Sequence, residues 1–389
     1  MIDYSKVVTP LVAQVKPSGI RKYFGITETM PDAISLGVGE PDFITPDHIM
    51  QAGIDSLKQG KTQYTANAGL KDLRYEISRY LDRRFNISYN PDDEVVVTVG
   101  GSEAIDMCLR AFLSVGDEFL IPEPAFVCYG PLASITGAVP VAIPTVKENS
   151  FKLTAEALKA AITPKTKALL LSYPNNPTGA VMTHDELVEI AKVLEGTNIV
   201  VFSDEIYAEL SYGLKHTSFA SLPGMRERTV VVSGFSKAFA MTGWRLGYCC
   251  GPRELMQYVL RLHQYALMCA STPAQYAAIE ALRNGMGDIQ YMAEKYDERR
   301  KFLYKSLLDL GFDCFEPQGA FYIFPDVSMF AKDGTDFVER LIEEQHVAVV
   351  PGEAFGDSGK NHVRISYAYS LENLKKALDR IEKFIATRR

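Results

Sequence analysis

From about residue 90 to residue 250 the chain alternates short apolar runs with longer stretches of helical spacing, and this alternation limits the fold more than any other feature. Residues 94–99, 118–121, 167–173, 198–203, 229–233 and 246–250 read as strands. Apolar residues follow one another in these runs instead of alternating with polar ones, as in strands covered on both faces. Residues 101–113 and 183–195 read as helices. In the second, Thr183 and Glu186 make a capping box and Gly196 ends the helix. Strands separated by helices and buried on both sides imply an α/β fold, a mostly parallel sheet flanked by helices.

Past Pro273 the character changes. Residues 275–284 and 291–310 read as long helices, followed by an apolar run at 319–324 and a helix at 335–345. Short strands at 347–350 and 362–366 and a closing helix at 371–387 complete a smaller α+β unit. The segment before about residue 45 has a loop character (Gly37, Gly39, Pro41), and we expect it to pack against that unit. A chain of 389 residues exceeds one typical domain. The expected division is a large unit at 46–284 and a small one at 1–45 with 285–389.

With 47% hydrophobic and 23% charged residues, the chain can bury a large core. A net charge of −7 without a basic stripe argues against nucleic acid or an anionic membrane as the main partner. No run approaches the length of a membrane span, and the start Met1-Ile2-Asp3-Tyr4-Ser5-Lys6 lacks a secretory pattern. The six cysteines show no CxxC spacing and read as free core thiols of a cytoplasmic protein. The histidines are scattered, so no metal site is expected.

Four segments at strand ends carry chemistry. In Ser233-Gly-Phe-Ser-Lys237-Ala-Phe-Ala-Met-Thr-Gly-Trp-Arg245, a lysine sits in a small-residue turn and an arginine follows eight residues on. The lysine can form an imine if its amine is kept neutral, and the arginine can grip a phosphate. Alone, the pair reads more readily as a surface lysine and a structural arginine. Asp204, at the end of the 198–203 run, stands where open α/β sheets bind ligands and can pair with a protonated ring nitrogen; it can also simply cap the next helix. Tyr207 can donate to a ring oxygen. In Tyr173-Pro-Asn-Asn176-Pro177-Thr-Gly179 the prolines fix an unusual backbone, with a cis bond open at Asn176–Pro177; Asn176 either donates into the crevice or only shapes the loop. In Thr98-Val-Gly100-Gly101-Ser102-Glu103, strand, glycines and helix start together make a phosphate cradle. The Glu103 carboxylate must then point away from the phosphate. The four signals are complementary: an imine-forming amine, a ring-nitrogen partner, ring-oxygen donors and a phosphate seat.

These motifs, with Ser35-Leu-Gly-Val-Gly39-Glu-Pro-Asp-Phe43, Tyr64-Thr-Ala-Asn-Ala-Gly69 and His362-Val-Arg364-Ile-Ser366, give the whole chain a resemblance. It resembles the class I/II aminotransferases of fold type I, close to the aspartate and aromatic group. The resemblance implies a seven-stranded, mostly parallel sheet in the large domain, a smaller α+β domain, and pyridoxal phosphate as cofactor. It implies that Lys237 holds the cofactor as a Schiff base and shuttles the proton, and that Asp204 pairs with the pyridine nitrogen. Tyr207 and Asn176 bond the ring hydroxyl. Arg245, the Gly101, Ser102 and Glu103 backbone and Ser236 hold the phosphate, while Phe126 stacks on the ring. Tyr64 reaches the phosphate of the neighbouring subunit in a homodimer. Arg364, with Gly39 and Asn176, binds the substrate α-carboxylate. Where some relatives that read acidic side chains carry a lysine after the cradle glycines, this chain has Ser102 and Glu103.

The resemblance therefore implies amino transfer from an L-amino acid, aspartate or aromatic in type, to a 2-oxo acid such as 2-oxoglutarate. Two readings on the same scaffold compete with it: β-elimination at a C–S bond, and a pyridoxal-phosphate-binding regulatory module. A nicotinamide dehydrogenase is disfavoured because the GxGxxG fingerprint is missing.

Overall fold

The computed structural model of the chain describes residues 2–25 and 30–388. Met1, residues 26–29 and Arg389, all within the expected small unit, lie outside the described residues. The strands among the described residues are β1 (Ile34–Ser35), β2 (Val95–Thr98), β3 (Glu118–Glu123), β4 (Val139–Pro144), β5 (Thr166–Ser172), β6 (Val200–Asp204), β7 (Thr229–Gly234), β8 (Gly247–Cys250), β9 (Tyr322–Ile323), β10 (Val347–Ala348), β11 (Val350–Pro351) and β12 (Val363–Ser366).

Strands β2 to β8 form a seven-stranded sheet in the order β2-β8-β7-β6-β5-β3-β4. The neighbours from β7 to β4 pair in parallel, whereas β8 runs antiparallel to both β7 and β2. Thus β8 alone is reversed. The chain leaves β2, β5, β6 and β7 at the same sheet edge where it enters β8, so the segments after Thr98, Ser172, Asp204 and Gly234 converge there with the one before Gly247. This edge is where doubly wound sheets bind ligands.

The expected strands appear to within three residues at each end, except that 347–350 divides into β10 and β11, which join different sheets. Helices Gly101–Phe112 and His184–Leu194 take their expected places, the second with the capping box of Thr183 and Glu186 formed. Strand β4 was not located by sequence pattern. It lies at the sheet edge with only Ile143 buried, and it contains Pro140 and Pro144. Prolines fit there because an edge strand needs ladder bonds on one side only.

In the second layer of the chain, β1 pairs in parallel with β10, and β11, β12 and β9 form an antiparallel sheet. Helices Met286–Asp309, Gly334–Gln345 and Leu371–Ala386 bury Tyr296, Leu303, Phe337 and Phe384 around one core, which also takes in Tyr207 and Leu210. The N-terminal segment is more than loop, with short helical turns at Tyr4–Lys6, Pro10–Ala13 and Arg21–Phe24. No helix among the described residues is long and apolar enough to cross a membrane. The six cysteines are free, but Cys128 and Cys269 are only partly buried and so are not core thiols.

Candidate active site

A cavity of about 1320 Å³ opens over the convergent edge of the sheet. The loop between β7 and β8 carries Lys237 and Arg245 into it. This loop turns sharply enough to hold two non-glycine residues in the left-handed region, Ala240 at φ 51° and Arg245 at φ 53°. Such conformations cost on the order of 1 kcal/mol each and persist where surrounding contacts impose them. Here Thr45 Oγ1 donates to the Ala240 carbonyl at 2.7 Å and Trp244 Nε1 donates to Thr45 Oγ1 at 3.0 Å. The Lys237 ammonium donates to the Gly39 carbonyl at 2.6 Å, 6.0 Å from the Tyr207 ring centre and 5.8 Å from that of Phe321. Burial lowers the amine to about 8, helped by the Arg364 and Arg245 charges and opposed by Glu40 and Asp204. At pH 7 about a tenth of such an amine is neutral, against roughly three parts in ten thousand at the ordinary lysine value. A neutral amine is the form that can attack a carbonyl.

Asp204 ends β6 and is buried. Its Oδ2 accepts from the Tyr129 hydroxyl at 2.7 Å and its Oδ1 from the Ile206 N–H at 3.2 Å. Burial raises its pKa, opposed first by the Tyr129 and Ile206 bonds and also by Lys237. Tyr129 is itself buried and 3.0 Å from Ser172 Oγ, in the strand position that pairs with Asp204. Sequence reasoning missed Tyr129. On the other side, Tyr207 and Tyr322 share a hydroxyl–hydroxyl bond of 2.8 Å. Tyr322, also missed, stands beside Gly39, where any side chain on residue 39 would strike the phenol oxygen.

The strand, glycines and helix start expected between Thr98 and Glu103 are in place. Gly100, at φ 79°, precedes helix Gly101–Phe112, and no side chain caps that helix from the N-cap position. A Cβ on Gly100 would stand 3.1 Å from the Arg245 guanidinium, and one on Gly247 would stand 2.7 Å from the Gly100 carbonyl carbon. Two glycines therefore let β8, the Arg245 loop and the helix start approach closely. The Glu103 carboxylate is turned away, accepting from Val99 N–H and lying 2.6 Å from His263 Nδ1. Ser102 and Ser236 line the same cavity. Phe126 lines it too, edge-on to Tyr129 at 6.0 Å.

Arg364, on β12, is fully buried. It donates to Asn176 Oδ1 at 2.9 Å and to the Gly37 carbonyl, and lies over the rings of Tyr322 at 4.4 Å and Phe355 at 4.9 Å. Its Nε has no partner, and among the described residues no carboxylate pairs with it. Asn176 follows Asn175 in a loop whose Asn176–Pro177 bond is cis, as are Glu123–Pro124 and Tyr173–Pro174.

One expected residue is not in this cavity. Tyr64 is 79% exposed and does not line it. Lys16 and Arg21, exposed residues of the N-terminal segment, line its mouth and were not singled out from sequence.

The donor set accommodates the pyridoxal phosphate that the sequence resemblance implies. Uncapped helix N–H groups and Arg245 face a glycine-lined cradle, an amine of lowered pKa and a buried carboxylate share the same cavity, and a buried guanidinium has an orphaned N–H.

The family profile described as aminotransferase class I and II matches residues 31–381. The YugH protein of Bacillus subtilis is 52% identical, the alignment covering 96% of this chain and 97% of that protein. The aspartate aminotransferase of Pyrococcus abyssi is 46% identical over 95% of this chain and 96% of its own. The solved aromatic aminotransferase of Pyrococcus horikoshii superposes with a TM-score of 0.90 at 43% identity, covering 93% of this chain and 98% of that one. A profile match over nearly the whole chain, full-length relatives and a shared fold place this chain in the aminotransferase class I and II family of pyridoxal-phosphate-dependent enzymes.

Proposed function

We propose that this aminotransferase moves the amino group of an aspartate- or aromatic-type L-amino acid to a 2-oxo acid such as 2-oxoglutarate in a ping-pong cycle. Arg364 carries this reading. A buried cation without a carboxylate partner is costly, and an α-carboxylate common to donor and acceptor supplies the missing charge and accepts the orphaned Nε–H. Asn176 accepts from it, and the Gly39 backbone lines the same cavity.

Pyridoxal phosphate, when bound, supplies an aldehyde that condenses with amines and a ring that takes up the electron pair released at the α-carbon. Lys237 would hold it, and the neutral form of its nitrogen can take up the proton of the substrate α-carbon and give it back. Asp204 would pair with the ring nitrogen and favour its protonated form. Tyr207 and the Asn176 amide would donate to the ring hydroxyl, and Phe126 would pack against the ring. Gly101, Ser102 and Glu103 would give backbone N–H groups to the phosphate, with the Ser102 and Ser236 hydroxyls and the Arg245 guanidinium. A distal carboxylate meets Lys16 and Arg21 at the mouth, which offsets the lack of a lysine at position 102.

The same reading takes residues 46–284 as the cofactor-binding unit and 1–45 with 285–389 as the small unit, supported by the β1–β10 pairing. It takes the enzyme as a cytoplasmic homodimer in which exposed Tyr64 reaches the neighbouring phosphate.

A panel of amino acids tested as donors to 2-oxoglutarate, followed at the cofactor absorbance band and by glutamate release, tests the proposal. Aspartate or an aromatic amino acid is expected to lead. Release of pyruvate and ammonia from cystathionine without an oxo acid, with no transfer from any donor, would favour the C–S lyase instead.

A further inference from the structure

A glutamate in the first turn of a phosphate-binding helix is an unfavourable choice unless its charge is restrained. Glu103 lines the cavity beside the N–H groups of the cradle, and a free carboxylate there would repel a phosphate dianion in a partly dry site. Both of its oxygens are engaged: Oε2 accepts from the Val99 N–H, and Oε1 lies 2.6 Å from His263 Nδ1. His263 comes from helix Arg253–Ala266, 160 residues along the chain, and is fully buried. Its Nε2 has no partner. A proton on Nε2 would be a buried N–H without an acceptor, so the ring carries its proton on Nδ1 and donates it to the carboxylate. Closing the turn at Val99 accounts for one of the two bonds. It does not account for a buried imidazole brought in from a distant helix to hold the other oxygen.

We propose that His263 is a positioning residue that ties the Glu103 carboxylate back from the cofactor phosphate, so that the cradle presents its N–H groups and Arg245 without a competing negative charge. The proposal rests on the reading of Gly101, Ser102, Glu103 and Arg245 as the phosphate seat. Without the imidazole the carboxylate is free to turn toward the phosphate and weaken its hold.

The test is the dissociation constant of pyridoxal phosphate from the holoenzyme, measured by equilibrium dialysis at the cofactor absorbance band. His263→Phe is expected to weaken retention at least about tenfold, and His263→Phe with Glu103→Gln to return it to within about threefold of wild type, because no charge remains to turn inward. A merely structural role for His263 predicts no such rescue. Wild-type retention by His263→Phe, or a double variant as weak as the single one, overturns the proposal. Should His263→Phe fail to fold, Glu103→Gln decides alone: retention at or above wild type is expected, and a loss of about tenfold overturns the idea. Arg245→Ala separates the two levels. If it leaves retention unchanged, the phosphate seat itself is wrong; if it weakens retention while His263→Phe does not, only the role of His263 falls.

Discussion

Asp204 is surrounded by neutral donors, which makes Tyr129 the side chain best placed to tune it. Burial pushes the carboxylate toward its protonated form, and the Tyr129 hydroxyl is the largest opposing influence. Tyr129→Phe keeps the ring and removes the donor. A hydrogen bond to a charged group is worth roughly 1.5–3 kcal/mol, so kcat should fall about tenfold or more with KM changed by less than about threefold. Steady-state kinetics check this, and an unchanged kcat would show that Asp204 does not depend on Tyr129. Arg364→Lys keeps the charge but loses the fork and the stacking on Tyr322 and Phe355. KM should rise roughly ten- to hundredfold for amino acid and 2-oxo acid alike, since both present the same carboxylate; a rise for only one substrate would remove Arg364 from that role. The strand-end places of Lys237, Asp204, Asn176 and the glycines at 100 and 101 were legible because each follows a recognisable strand in a local motif. Tyr129, Tyr322 and His263 were not: their partners lie 75, 115 and 160 residues away, and buried aromatic or histidine side chains usually serve packing.

At the scale of elements, the reversed strand β8 does most to assemble the site. It brings Arg245 to the sheet edge where β7 delivers Lys237, and its first residue, Gly247, touches the backbone of Gly100 and Gly101. Gly247→Ala sets a Cβ against backbone atoms that cannot move independently. Overpacking of this kind costs roughly 1–3 kcal/mol, and thermal unfolding should show it together with faster loss of cofactor. A variant as stable as wild type and equally retentive would mean that the cradle is looser than the structure implies. The buried strands announced themselves as apolar runs. Strand β4 did not, because an exposed edge strand with two prolines carries no such run, and the direction of β8 cannot be read from its composition.

For the molecule as a whole, His48 is a clasp where three helices meet. It sits in the first turn of helix Asp47–Lys58, with Nδ1 2.8 Å from Glu280 and Nε2 2.9 Å from Asp288, on helices Thr272–Asn284 and Met286–Asp309. The Asp288 bond raises its pKa above 6.5, burial opposes, and Glu280 adds to the rise. A group raised in the folded state contributes stability that is fully present below its ordinary value and is lost as pH rises through the folded value. The Tm difference between wild type and His48→Gln should therefore be largest near pH 6 and shrink by about pH 8; it will be modest, because solvent screens a partly exposed cluster. A gap that does not change with pH would show that the imidazole charge contributes nothing.

We propose Lys237 as the lysine that holds the cofactor. Borohydride reduction of the purified yellow enzyme, followed by peptide mapping with mass spectrometry, tests it most directly. A pyridoxyl group is expected on the peptide containing Lys237 and nowhere else. A label on a different lysine, or none while the cofactor remains bound, would contradict it.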